Sequence, residues 1–548
     1  MCQVCQAMAN TSASVSGIAA DCPTNALDSG GYRTDNAISI YFVSNGQDAN
    51  VADQINDPSG ADEIESDGWS DYEIQRFMAA VASISNYIDV TFTETSDANA
   101  DFQVVLDDDE FPSAGFLGYF YLPAFAGDNR DVMGAFNANG FGWNTSGGLE
   151  AGGLGFSTII HEILHGLGLS HPHDGDNVLN GLDADSTNSN YPFGFYGDFD
   201  LNQEVYTIMS YNDGWLGAPS SNNSGHAATP MALDIAILQD LYGANTTYNS
   251  GNNIYDIGDD AWVSIWDTGG TDTIRYTGSA DVMIDLRAAT LQYADGGGGF
   301  ISTADGLAGG FTIANGVVIE NATGGSGDDL LIGNDADNTL TGNGGSDDIY
   351  GGQGDDEINT GSGNDYADGN SGSDEINATS GTNTIFGSSG FDAITGGSGV
   401  DTIFGGSGDD VISGGDSGDT LYGGRGDDTI SGDGGADIII GGLGSDTLTG
   451  GSGADDFVFQ FVSDSLAGSG NRDTINDFQT GIDDIDLSNI DGLSFVGTAG
   501  FSGTSGEVRL NENGGDTIIQ MDSNGDGNAD LEIFVDGVTG LSESDFIL

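Results

Sequence analysis

Residues 324 to 458 divide into fifteen consecutive nine-residue units without an insertion, and no other feature of the chain limits its fold so tightly. The run Gly324-Gly325-Ser326-Gly327-Asp328-Asp329-Leu330-Leu331-Ile332 shows the pattern in full. The sixth position is aspartate in thirteen units, at Asp329, Asp347, Asp356, Asp365, Asp374, Asp392, Asp401, Asp410, Asp419, Asp428, Asp437, Asp446 and Asp455, and asparagine at Asn338 and Asn383. The eighth is Leu, Ile or Phe except at Ala367. Glycines permit the positive φ of a tight turn, the sixth-position carboxylate points into that turn, and a short strand turns one apolar side chain inward. A single unit cannot bury its own face, so units must stack. Two units then make one coil of a parallel β-roll, with calcium ions held between successive turns by carboxylates and backbone carbonyls. A disordered Gly/Asp linker would have no reason to keep an apolar residue at one phase throughout.

Composition agrees with such an array. The 548 residues include 92 glycines but only 8 prolines, which excludes collagen. Eighty-seven acidic residues face eight arginines and no lysine, for a formal charge of −79. Nucleic acid and anionic membrane surfaces therefore have no electrostatic basis for binding, whereas divalent cations do. No segment has the roughly 18 uninterrupted apolar residues of a membrane span. Cys2, Cys5 and Cys22 are an odd number confined to the start of the chain, so the fold does not rest on disulfides.

Residues 1–30 are small and polar with little periodicity and read as a leader or propeptide-like segment. From 31 to 243 helices and strands mix in one α+β domain. Ile38 to Val43, Val90 to Thr93 and Phe102 to Leu106 read as strands. Ser70 and Glu73 form a capping box that opens a helix with Ile74, Phe77, Met78, Val81 and Ile84 on one face. A second helix runs from about Ser157 to Leu167. A third starts at Thr229-Pro230, an N-cap followed by proline. Residues 244–323 begin a β-rich C-terminal half, 324–458 are the repeats, and 459–548 form a β-rich closing domain. In the closing domain Asp522, Asn524, Asp526 and Asp530 alternate like the start of a calcium loop.

All five histidines fall between 161 and 226. His161-Glu162-Ile163-Leu164-His165 lies in the second helix, so the imidazoles at i and i+4 share one face and can bind one zinc. Glu162, about 100° around the helix from His161, can reach a water at that metal without ligating it. Gly166 and Gly168 suit a left-handed helix end that turns the chain back, and His171 can supply a third nitrogen. A fourth position left open to water separates a catalytic zinc from a structural one. Downstream, Thr207-Ile208-Met209-Ser210-Tyr211 is similar to a Met-turn. His173 and His226 read as solvent-facing or hydrogen-bonded residues.

These residues together resemble the serralysin family, calcium-stabilised secreted zinc endopeptidases of the metzincin clan with RTX repeats. The resemblance is carried by Ser157 to Pro172, the Met-turn, Met231-Ala-Leu-Asp-Ile-Ala236, Ser264 to Asp272, Val318 to Ala322 and the nonapeptides. It implies an α+β metzincin catalytic domain followed by the parallel β-roll and a β-rich C-terminal region. It further implies one zinc on His161, His165 and His171, Glu162 as general base, and Tyr211 as a further zinc contact that swings to the oxyanion. Met209 would be a packing floor, and several calcium ions would occupy the repeats. Substrate would lie extended along an edge strand, for which Phe102 to Leu106 is the candidate. The polar insert from Gly175 to Asp200 departs from the family pattern, as do the cysteines; Cys22 reads as an unpaired leader thiol with no metal role, in preference to a thiolate on the zinc of a latent precursor.

The final residues Asp545-Phe546-Ile547-Leu548, an acid before an apolar end, match the family's C-terminal signal for type I secretion machinery. The repeats would stay unfolded where calcium is scarce and fold in the extracellular medium. Three classes of function compete: an active secreted protease acting on protein or peptide substrates as a monomer, a catalytically weak RTX surface protein or adhesin, and a purely structural surface-layer protein. Three intact histidines with Glu162 and Tyr211 favour the first.

Overall fold

The computed structural model describes Arg33 and residues 36–47, 66–107, 117–120, 132–140, 142–143, 146–172, 198–212, 214–215, 218–221, 224–258, 260–292 and 294–548. The leader over 1–30 with its three cysteines, His173, and most of the insert after Gly175 lie outside these residues. The chain forms two units, Met1–Asp272 with Asp285–Ile319, and Thr273–Ile284 with Glu320–Leu548.

The first unit is built on strands β1 (Ala37–Phe42), β2 (Thr91–Glu94), β3 (Phe102–Asp107), β4 (Gly118–Phe120) and β5 (Val132–Asn137), in the order β2-β1-β3-β5-β4. All pair in parallel except β4, which runs antiparallel to β5. Strict alternation in β1 buries Ile38, Ile40 and Phe42 against the helices. The order corrects one expectation: Phe102 to Leu106 is not an edge. Phe102 pairs with Ile40 on one side and Val132 on the other, so β3 has no hydrogen-bonding edge to offer a substrate. The edge is β4.

Helix α1 (Asp71–Ser85) starts where the capping box places it, with the Glu73 N–H donating to Ser70 Oγ and the Ser70 N–H to Glu73 Oε2. It buries Phe77, Ala80, Val81 and Ile84, and the Phe77 ring meets Phe42, Trp69 and Phe136 edge-on at 5.3 to 5.6 Å. A fully buried phenylalanine contributes about 1.5–3 kcal/mol, so this cluster holds the helix to the sheet. Helix α2 (Leu154–Gly166) buries eleven of its thirteen residues, which makes it a rigid support. Helix α3 (Ala232–Tyr242) begins later than Thr229-Pro230 suggested. Its cap is Met231, whose N–H donates to Asp234 Oδ2 at 2.9 Å, while Thr229 Oγ1 instead accepts from the Ser264 N–H.

The second unit is a β-roll of parallel strands. Each strand pairs with the one eighteen residues on, as Ile349 does with Ala367 and Ile403 with Leu421, so two units make one coil. Every eighth-position side chain from Leu331 to Phe457 is buried, at 2% exposure or less. The two sheets do not stop at 458: Thr447–Thr449 pairs with Asp473–Ile475, and Asp456–Val458 with Asp484–Asp486. Antiparallel strands Glu507–Asn513, Asp516–Asp522 and Leu531–Val535 close one sheet. Phe546–Ile547 adds a last parallel strand to the other.

Candidate functional site

Helical spacing puts His161 and His165 on the same face of α2. The chain then reverses at Gly168, whose φ of +106° favours glycine. Gly166 has another purpose: it is the last helical residue, and a Cβ there would stand 2.8 Å from the Phe120 ring and 3.0 Å from that of Phe102. The reversal brings His171 back, with its Nε2 at 3.1 Å from both His161 Nε2 and His165 Nε2. Among the described residues these three are the one group of histidine, cysteine or acidic side chains whose ligand atoms converge within 4.8 Å.

The far nitrogens fix the chemistry. His161 Nδ1 lies 2.7 Å from the Ile208 carbonyl oxygen, and His165 Nδ1 lies 2.7 Å from that of Leu169. A carbonyl only accepts, so both protons sit on Nδ1 and both Nε2 atoms turn lone pairs toward His171. One proton on His171 cannot satisfy two such lone pairs. A divalent cation can, and three nitrogens about 2.0–2.1 Å from a tetrahedral zinc would stand roughly 3.4 Å apart, close to the spacing seen.

Glu162 is buried beside edge strand β4. Burial pushes its carboxyl up to about 8, while a hydrogen bond from the Phe120 backbone N–H acts the other way. Tyr211 is partly exposed, its ring stacked on His161 at 6.0 Å between centroids and tilted against His171 at 4.6 Å. Met209 is completely buried.

Two buried carboxylates that the sequence reading gave no role grip the segment around Met209. Asp234 accepts from Thr207 Oγ1 at 2.6 Å, from the Ile208 N–H at 2.8 Å and from the Met231 N–H; burial nevertheless raises its pKa to about 6. Glu204 accepts from the Ser157 hydroxyl of α2, from the Gly214 and Ala227 N–H groups, and from His226 Nδ1 at 3.1 Å. His226 is thus a buried, hydrogen-bonded residue outside the histidine cluster, with Nε2 on the Ser221 carbonyl. Both acids lie far in sequence from α2, and although Asp234 falls within the Met231–Ala236 segment, only the tertiary fold reveals what either one holds.

In the roll, sixth-position aspartates share one geometry. Oδ1 accepts the backbone N–H of the residue eighteen positions earlier, as Asp410 Oδ1 does from Asp392 and Asp428 Oδ1 from Asp410. Among the described residues, Oδ2 of Asp347, Asp356, Asp365, Asp374, Asp392, Asp401, Asp410, Asp419, Asp428, Asp437, Asp446 and Asp455 is buried without a hydrogen-bond partner. Asp329 differs, since its Oδ1 accepts from the Val282 N–H and its Oδ2 from the Gly325 N–H. In most of these turns the lone oxygen faces a first-position glycine and a carbonyl of the next coil: a Cβ on Gly405 would stand 2.5 Å from Asp410 Oδ2 and 2.7 Å from the Gly423 oxygen. Carboxylate and carbonyl oxygens in a dry turn are the donor set of a hard cation such as calcium. The asparagines depart from this, for Asn338 Nδ2 donates to the Glu320 carbonyl at 3.0 Å and so supplies its own positive end.

The ladder also runs past the repeats. Asp446 donates its N–H to Asp473 Oδ1, and Asp455 to Asp483 Oδ1, across 27 and 28 residues. The extra residues break the nine-residue count, which hid both from the sequence pattern. The Asp522 to Asp530 loop, by contrast, turns its carboxylates on its own backbone: Asp522 accepts from the Gly525 and Gly527 N–H groups and Asp530 from that of Ser523.

Residues 237–548 match the family described as Peptidase M10 serralysin C terminal, more than half of the chain. The chain is 33% identical over 297 residues to the serralysin of Proteus mirabilis, covering 50% of this chain and 53% of that protein. To the serralysin of Photorhabdus luminescens it is 33% identical over 296 residues, 50% and 55% of the two chains. To the metallopeptidase AprA of Pseudomonas marginalis it is 30% identical over 297 residues, 50% and 56%. The chain spans about half the length of the curated relatives it matches.

Proposed function

This chain belongs to the serralysin family, and on that premise we propose that it is a secreted, calcium-stabilised zinc endopeptidase that cleaves peptide bonds of extracellular proteins. The observation that carries the reading is the convergence of three imidazole nitrogens, two of them locked by backbone carbonyls into the tautomer that ligates. His161, His165 and His171 would hold the zinc of a metzincin catalytic domain over residues 31–243. Bound there, zinc supplies Lewis acidity that polarises a peptide carbonyl and acidifies water.

The chain's own groups do the rest. Glu162 takes a proton from the attacking water and returns it to the leaving amine. Its burial gives the carboxyl the high proton affinity that the return step uses, and beside a dication the same group titrates lower, so that it can act first as a base. Tyr211, stacked on His161 and tilted against His171, would bring its phenol to the oxyanion. Strand β4 lies next to Glu162 at the sheet edge, where an extended peptide could add as a further strand. Calcium would occupy the turns that carry a lone Asp Oδ2. Its scarcity before export through type I machinery would keep the Asp-rich repeats unfolded.

The test is casein hydrolysis in calcium-containing buffer with and without a zinc-selective chelator. Activity lost on chelation and restored by zinc is expected. Undiminished activity without zinc would refute the reading.

A further inference from the structure

The Met-turn peptide is tied to a buried carboxylate through one hydroxyl, and the same peptide bears on a histidine of the metal cluster. Thr207 Oγ1 donates to Asp234 Oδ1 at 2.6 Å and accepts the Met209 N–H at 3.2 Å. That N–H belongs to the peptide unit whose carbonyl oxygen, on Ile208, accepts the proton of His161 Nδ1 at 2.7 Å. The chain of contacts is continuous: carboxylate, hydroxyl, peptide, imidazole. Asp234 and Thr207 are both fully buried, so no water competes for these groups.

We propose that Asp234 and Thr207 are positioning residues that act on the metal ligand His161 through this relay, a role that rests on the zinc reading above. A carboxylate accepting from a hydroxyl makes the hydroxyl oxygen a stronger acceptor. That oxygen then polarises the peptide N–H, and the peptide passes the charge to its carbonyl. The Ile208 oxygen accepts the Nδ1 proton more strongly, which raises the electron density at Nε2 and fixes the ring plane. A carboxylate bonded directly to a ligating histidine does the same in one step. Here the carboxylate is three bonds of the network away, because the Met-turn backbone occupies the space beside His161. The second Asp234 oxygen holds the Ile208 N–H at 2.8 Å, so the preceding peptide, between Thr207 and Ile208, is held as well.

The tests are Thr207→Val, which removes the hydroxyl but keeps the shape, Thr207→Ser, which restores it, and Asp234→Asn. Zinc affinity of the full-length protein is measured in calcium buffer by competition with a chromophoric chelator. Thr207→Val should bind zinc about ten- to a hundredfold more weakly, the range for lost outer partners of a metal-bound histidine. Asp234→Asn should fall in the same range, and Thr207→Ser should return to within about threefold of wild type. Since Asp234 also caps α3, Asp234→Asn could misfold, and the valine-serine pair decides the matter without it. Wild-type affinity in Thr207→Val, or a serine variant as weak as the valine one, overturns the relay. A wild-type protein that binds no zinc overturns the function reading as well, which separates the two failures.

Discussion

Removing the cations from the β-roll should invert its response to pH, leaving the chelated protein more stable in mild acid than at neutrality. Burial, reinforced by neighbouring carboxylates, pushes Asp347, Asp356, Asp392, Asp419 and Asp428 up from 3.8 to about 7, and Asp437 and Asp446 to about 6. A carboxyl whose folded pKa lies above its unfolded one is protonated in both states below about pH 4, where it exerts no penalty. Between about pH 4 and 7 the unfolded chain ionises first, so folding takes up protons and stability falls as pH rises. Above about pH 7 the loss is complete.

A rise of roughly three units corresponds to about 4 kcal/mol per group if fully expressed. Solvent beside the turns screens much of that, and about 1 kcal/mol per carboxyl is a safer figure. Five such groups still give roughly 5 kcal/mol, comparable with the whole stability of many domains. The assay is urea unfolding followed by circular dichroism, on the Glu162→Gln variant to suppress self-cleavage, in excess chelator from pH 4.5 to 8. The midpoint of the roll should drop steadily over that range. In millimolar calcium the slope should reverse below about pH 6, because protons then displace the ion. A chelated midpoint that is flat or rises with pH would show that the lone Oδ2 atoms are not desolvated charges, and the reasoning about them would fail.

Glu162→Gln itself should keep one zinc and lose about 10²- to 10⁴-fold in kcat on a peptide substrate, the usual contribution of a positioned general base; activity within tenfold of wild type would remove it from that role. His171→Ala should lower zinc content measured by atomic absorption, and tight retention of one equivalent would move the third ligand elsewhere, with His173 first in line. Asn338→Asp should add one calcium per chain in equilibrium dialysis while destabilising the chelated roll by about 1–3 kcal/mol, since it replaces a satisfied amide with a lone buried charge. Magnesium should not restore the chelated roll, as it demands near-octahedral geometry and gives up water reluctantly; equal β-structure with both ions would argue against calcium-specific turns.

What could be read from the sequence was what local spacing encodes. His161 and His165 share a face because four residues make slightly more than one helical turn, and His171 follows within reach after a glycine. The roll was legible for the same reason, as a period of nine that sets turn, carboxylate and inward side chain in fixed order. Strand position was not legible. Phe102 to Leu106 has the apolar character of a strand buried on both faces, and that character suits an interior strand, whereas the edge strand β4 is three residues, Gly118 to Phe120, with no pattern to count. Nothing in either segment's composition states which neighbour lies beside it.

The same division explains why the three converging histidines were visible and their supports were not. A metal ligand on a helix is recognisable from its partner one turn away. Asp234 supports His161 from 73 positions along the chain through a threonine and a peptide, and each link is an ordinary residue in an ordinary hydrogen bond. What marks it is burial: a carboxylate at 0% exposure must have its charge answered, and following its donors on Thr207 and Ile208 leads back to the site. The rule extends to the roll, where the unanswered Oδ2 atoms mark the turns proposed to hold cations, and to Glu204, which joins Ser157 of α2 to Gly214, His226 and Ala227. Buried charge, traced to its partners, therefore recovers in this protein the long-range part of function that periodicity cannot carry.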